Sequence, residues 1–189
     1  MPRFEELLED FFYRPDEPVG ALFAPHLSEA MVPAPVEVEA PREFLAFSLG
    51  EETYAVPIER VRQIVKVPPL TEVPRSEPEL LGVLNLRGEV LPVYDLKLRL
   101  RLSRVPAPVA GPDAALDAVP RSARILIVHD DEGDAGLLVD AVHEAVKLQP
   151  SAIEPPPRGL GAGERATISG IGRRRDELFI LLDLEQTLP

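Results

Sequence analysis

Alternation of apolar and polar positions dominates the chain after residue 42. In Glu43–Leu49, Phe44, Ala46 and Ser48 oppose Leu45, Phe47 and Leu49, and after Gly50-Glu51-Glu52 the run resumes at Thr53–Val56. A period of two broken by turn residues predicts a β-hairpin. Over Pro57–Val65 the period changes. Ile58, Val61, Ile64 and Val65 fall at helical spacing and Pro57 suits a first helical position, so a short helix is expected. Gly82–Leu86 and Glu89–Tyr94 flank Arg87-Gly88 as a second hairpin. Arg124–His129 is an apolar strand, Asp130–Asp134 a turn and Ala135–Val142 another strand; Thr167–Gly172 and Leu178–Leu182 flank Arg173–Glu177 as a third hairpin. Many short strands with frequent turn signals and little helix predict an antiparallel all-β domain, barrel or sandwich.

The first residues follow a different period. Phe4, Leu7, Leu8, Phe11 and Phe12 fall at i, i+3, i+4, i+7 and i+8, with Glu5, Glu6, Glu9 and Asp10 between them. This is an amphipathic helix over residues 4–13, stopped at Arg14-Pro15. Alone it is marginal in water, so its stripe needs burial on its own domain or in a partner's groove. Residues 1–41 hold seven prolines, nine acids and two arginines, which marks an acidic, Pro-rich leader. The folded unit is then 42–189, interrupted by an Ala-, Pro- and Asp-rich surface loop at 103–123.

Composition narrows the function. There is no cysteine among the 189 residues, which excludes a disulfide scaffold, a thiolate metal site and a cysteine nucleophile. A net charge of −12 disfavours nucleic acid as principal ligand, because that binding needs basic side chains to displace counterions. The longest uncharged stretch, Pro18–Ser28, is far shorter than the ~20 residues of a membrane span, and the acidic face of the leader helix opposes anionic lipid. A reducing, cytoplasmic location fits.

Several motifs carry little chemistry. Asp95 and Asp140 stand at element boundaries before apolar residues, where capping or turn hydrogen bonds are expected rather than acid–base work, and an enzyme using Asp95, Asp140 or Asp183 is opposed by the lack of a nucleophile–base pair or metal-ligand cluster. Gly159, Gly161 and Gly163 lack the Lys-Ser/Thr of a phosphate loop. Arg124–Glu132 (RILIVHDDE) and Leu181–Leu184 (LLDL) imitate pieces of a receiver domain, but residues 136–182 read as strands rather than alternating strand and helix.

Five blocks occur together in order: Glu43–Pro57 (EFLAFSLGEETYAVP), Ile58–Val65 (IERVRQIV), Gly82–Leu96 (GVLNLRGEVLPVYDL), Gly136–Val146 (GLLVDAVHEAV) and Ser169–Leu184 (SGIGRRRDELFILLDL). In these blocks the chain resembles CheW-like domains over 42–189. The resemblance implies two small packed five-stranded, SH3-like β-barrels with short helices, the leader being an extension to that pattern. It implies a non-catalytic chemotaxis adaptor without cofactor, monomeric alone, that couples methyl-accepting chemoreceptors to a CheA-type histidine kinase. The alternative is a CheW-like regulatory module of a kinase or of a receiver-fused coupling protein. The protein-binding set it implies is Arg87 with Gly82, Asn85 and Gly88 around it, and Ile58, Val61 and Gln63. Relatives can carry an acid where Gln63 stands. Arg87 is the foremost of these, because its planar five-donor fork suits a partner's carboxylates or carbonyls. The stripe Phe4, Leu7, Leu8, Phe11 and Phe12 is a partner-docking candidate that the resemblance does not cover.

Overall fold

A computed structural model describes residues 39–105, 107–108, 119–131 and 133–188. The leader stripe, Phe4 to Phe12, lies outside the described residues. The order of elements is β1 (Arg42–Leu49), β2 (Glu52–Pro57), β3 (Val61–Lys66), β4 (Leu80–Leu86), β5 (Glu89–Asp95), α1 (Leu96–Arg99), β6 (Arg124–His129), β7 (Asp134–Val139), β8 (Ala141–Leu148), β9 (Ile153–Glu154), α2 (Ala162–Thr167), β10 (Ile168–Arg174), β11 (Glu177–Leu182) and α3 (Leu184–Thr187). The all-β class is as expected.

The strands form two sheets, in the orders β8-β1-β2-β11-β10-β9 and β3-β6-β7-β5-β4. The first has six strands rather than five. Its extra member is the two-residue β9, which follows β8 through a single 3-10 turn, Pro150–Ala152. The two end strands of that sheet are therefore neighbours in the chain. In the second sheet the chain leaving β3 reaches Thr71, which exchanges hydrogen bonds with Val83 of β4 at 3.0 and 2.8 Å. Each sheet thus returns on itself through one bent stretch of chain, the way small barrels remove their free edges.

Three apolar clusters explain the patterning. Phe44, Ala46, Ala55, Val146, Phe179 and Leu181 fill the first sheet. Leu70, Leu81, Leu91, Val93, Ile125 and Ile127 fill the second. The third lies between them, with Leu45, Phe47 and Val56 from one sheet meeting Leu126, Val128 and Leu137 from the other. Strands β1 and β6 are thus buried on both faces, which is why they read as nearly continuous apolar runs. Each such large side chain contributes about 1.5–3 kcal/mol on burial.

The two sheets also repeat one sequence pattern. Gly82, Arg87, Glu89, Leu91, Asp95 and Leu96 recur at a constant offset as Gly170, Arg175, Glu177, Phe179, Asp183 and Leu184. Gly82 and Gly170 both follow a register shift in their strand. Both stand where a sheet returns on itself: a Cβ on Gly82 would lie 2.4 Å from the Thr71 carbonyl oxygen, and one on Gly170 would lie 2.9 Å from that of Glu154.

Three boundaries differ from the sequence expectation. The helix expected over Pro57–Val65 is a three-residue 3-10 turn, Ile58–Arg60, followed by β3. Val61, Ile64 and Val65 are β-branched and pair with β6 from Val61↔Val128 to Lys66↔Arg124. Ile64, 43% exposed, is an apolar residue in the outward phase, and it masked the period of two. The third hairpin turns more tightly, at Arg175-Asp176, because Arg173 and Arg174 extend β10 and pair with Leu178 and Glu177. The strand expected over Ala135–Val142 ends at Val139. There the Asp140 carboxylate accepts the Gly50 N–H at 2.7 Å and pairs with Lys97 Nζ at 2.7 Å, and the chain crosses to the other sheet as β8.

Candidate functional site: the β4–β5 hairpin tip

The tip is built by register. Asn85 faces Val90 and Leu86 faces Glu89, leaving Arg87-Gly88 as a two-residue loop. Arg87 has φ 55° and Gly88 φ 96°. Two positive φ values match the turn whose twist suits a right-handed hairpin. Glycine adopts that geometry freely; arginine does so at a cost of about 1–2 kcal/mol. The turn is fastened from within, because the Gly88 N–H donates to Asn85 Oδ1 at 3.0 Å.

Arg87 is exposed and, among the described residues, has neither hydrogen-bond nor ion-pair partner. Other arginines of the domain are engaged. Arg62 contacts Asp134 at 2.8 Å, and Arg60 contacts Glu185 at 3.1 Å. Beside Arg87 lies Val90, 64% exposed, on the outward phase of β5. A free guanidinium next to an exposed apolar side chain, on a two-residue turn, is a compact recognition element. Its donors suit carboxylates or carbonyls, and its apolar neighbour suits a hydrophobic contact.

The structure divides the protein-binding residues expected from the sequence. Arg87, Gly88 and Asn85 meet at the tip, with Asn85 supporting the turn. Gly82 lies lower in the hairpin and is buried where β4 meets Thr71. There it permits close backbone approach. Ile58 and Val61 are half-buried and pack against the cluster between the sheets. Gln63 sits in β3 opposite Ile127. The chain leaves β3 at Lys66 and then reaches Thr71, which pairs with Val83 of β4. Val90 and Ile64 escaped sequence reasoning; each is an apolar residue out of phase with the inward positions around it.

A family model for the CheW-like domain matches residues 43–189. The chain belongs to the CheW-like domain family. It is 32% identical over 146 residues to the chemotaxis protein CheW of Helicobacter pylori, covering 77% of this chain and 81% of that protein. It is 35% identical over 144 residues to a probable chemotaxis protein CheW of Rhizobium etli, covering 76% and 85%. Among solved structures, the scaffolding protein TtCheW of Thermoanaerobacter tengcongensis superposes with a TM-score of 0.65 at 33% identity, over 76% of this chain and 89% of that one.

In this CheW-like domain two of the boundary aspartates, Asp95 and Asp183, cap short helices. Asp95 Oδ1 accepts the N–H groups of Lys97 and Leu98 at 3.0 and 3.3 Å and so caps α1, while its Oδ2 holds the Ala107 N–H at 2.9 Å and ties down the start of the 103–123 loop. Asp183 caps α3 through the Gln186 N–H at 3.2 Å. The receiver-like segment is an antiparallel hairpin, β6 with β7, not the first strand of a parallel sheet. Among the described residues no helix is long and apolar enough to cross a membrane.

Proposed function

We propose that this CheW-like domain is a non-catalytic adaptor, which couples methyl-accepting chemoreceptors to a CheA-type histidine kinase in cytoplasmic signalling arrays. The observation that carries the reading is Arg87, exposed and without a partner among the described residues, beside Val90 on the β4–β5 turn, in a chain related to chemotaxis proteins and to a scaffolding protein. Coupling of this kind is a free energy shared between partners and needs no cofactor. The half-buried Ile58 and Val61, with Gln63 beside them, form the flank of the same contact. Residues 1–41 act as a separate leader, whose stripe Phe4, Leu7, Leu8, Phe11 and Phe12 adds affinity for one partner through its tether. The test is reconstitution of a chemoreceptor-bearing membrane with a CheA-type kinase and this chain. The kinase is expected to sediment with the membrane only when the chain is present. Equal kinase recovery with and without the chain overturns the reading.

A further inference from the structure

Away from the hairpin tip, a cleft of about 440 Å³ opens between the end of α1, β10, β11 and α2. Such a volume lies within the ~300–1,000 Å³ range of ligand-holding clefts. Leu100, Leu102, Leu160, Ile168 and Ile180 line it. One wall continues beyond the cleft as an ordered strip from α1 to Val105. Arg101 N–H donates to the Leu98 carbonyl and Leu102 N–H to that of Lys97, at 2.9 and 2.7 Å, and Ser103 Oγ ties Val105 at 3.0 Å. On that strip Leu102 is 45% and Val105 74% exposed, so large apolar side chains stand in water.

The same strip is basic in an otherwise acidic chain. Lys97, Arg99, Arg101 and Arg104 fall between Asp95 and Asp113 with no acid among them. Two of the four are committed: Lys97 to Asp140, and Arg99, whose Nε donates to the Thr187 carbonyl at 2.6 Å. Arg101 and Arg104 are exposed and have no partner among the described residues. Across the cleft, among the described residues, stand two carboxylates: Glu52, which accepts the neutral Tyr54 hydroxyl at 2.6 Å, and Glu79. Among the described residues, the three arginines whose charge no carboxylate meets, Arg99, Arg101 and Arg104, outnumber the two carboxylates of the lining.

We propose that this cleft and its basic strip are a docking surface for an acidic amphipathic helix of a partner protein. Apolar side chains at i, i+3, i+4 and i+7 span about 10 Å of helix. That is enough to seat on Leu100, Leu102, Ile168 and Ile180, while glutamates along the helix flank meet Arg101 and Arg104. The apolar contacts supply affinity; the arginines supply sign selectivity and salt dependence. This surface is separate from the Arg87 tip and does not rest on the adaptor reading.

The test uses the full chain and a synthetic fourteen-residue peptide, Leu and Phe on one face and Glu elsewhere, with a Lys-for-Glu peptide as control (lengths set by about four helical turns). The Glu peptide is expected to saturate the chain and to weaken with salt, whereas the Lys peptide does not bind. Leu102→Asp and Arg104→Glu should each lower affinity by about tenfold with the unfolding midpoint unchanged. Arg101→Gly should lower affinity while raising the midpoint, because glycine accepts its φ of 62°. Equal binding of both peptides, or unaltered affinity in all three variants, overturns the proposal. So does a severalfold rise in affinity on Leu8→Glu with Phe11→Glu, since that result makes the chain's own N-terminal stripe the occupant.

Discussion

Arg87 and Arg175 hold the same left-handed backbone, φ 55° and 54°, at the tips of equivalent hairpins in the two sheets. Two residues after each comes a Glu and then an exposed aliphatic residue, Val90 at 64% and Leu178 at 52%. A strained, exposed arginine contributes nothing to the core, and its conformational cost is what a glycine would relieve. Arg175→Gly should therefore raise stability by about 0.5–1 kcal/mol, the relief of strain being partly offset by glycine's larger unfolded entropy. Arg87→Gly should stabilise similarly, yet weaken kinase and receptor binding. Urea-unfolding midpoints and co-sedimentation measure the two effects separately.

Gly82 is a matter of fold. A Cβ there meets the Thr71 carbonyl oxygen at 2.4 Å, at φ 149°. Gly82→Ala should cost about 2–4 kcal/mol by forcing Thr71 away from Val83. Loss of amide protection at Thr71 and Val83, seen by hydrogen exchange, is the expected signature. Unchanged protection would return Gly82 to the partner surface.

Asp95 should be among the most costly polar positions to truncate. It is buried and satisfies the N–H groups of Lys97, Leu98 and Ala107. Asp95→Ala leaves all three without that acceptor and should destabilise by about 2–3 kcal/mol, read from the thermal midpoint.

Tyr54 gives the alkaline limb its shape. Burial pushes its hydroxyl above the ordinary 10.0, and the hydrogen bond to Glu52 and the charge of that carboxylate push further. The folded chain keeps this proton after the unfolded chain has lost it. The stabilisation is therefore complete below pH 10.0 and declines as the pH rises above it. Tyr54→Phe should flatten that decline in urea-unfolding midpoints compared at about pH 8 and about pH 11. An alkaline limb of the same slope in both proteins would contradict the assignment.

Much of the fold was legible because turn chemistry and period agreed. Arg87-Gly88 between two alternating runs gave the β4–β5 hairpin, and Gly50-Glu51-Glu52 the first. Strand β3 was hidden by Ile64, whose outward side chain turns a period of two into apparent helical spacing. Most of β8 was missed because His143, Glu144 and Ala145 are exposed and break its apolar run. The recurrence of Gly82–Leu96 as Gly170–Leu184 is present in the sequence, but it stands on few identical positions, and its sense is structural: each segment carries a hairpin and then a capping aspartate. At the site, Arg87 was legible. Val90 was not, because one exposed valine has no sequence signature apart from its strand's inward phase.

The role proposed for the Arg87 tip is to join the chain to its partners. Its most direct test is co-sedimentation of Arg87→Glu with chemoreceptor-bearing membranes and a CheA-type kinase, with the thermal midpoint measured in parallel. Recovery should fall by about tenfold, since charge reversal opposes a partner carboxylate, while stability changes by about 0.5 kcal/mol or less. Wild-type recovery of both partners by a normally folded Arg87→Glu chain would contradict it.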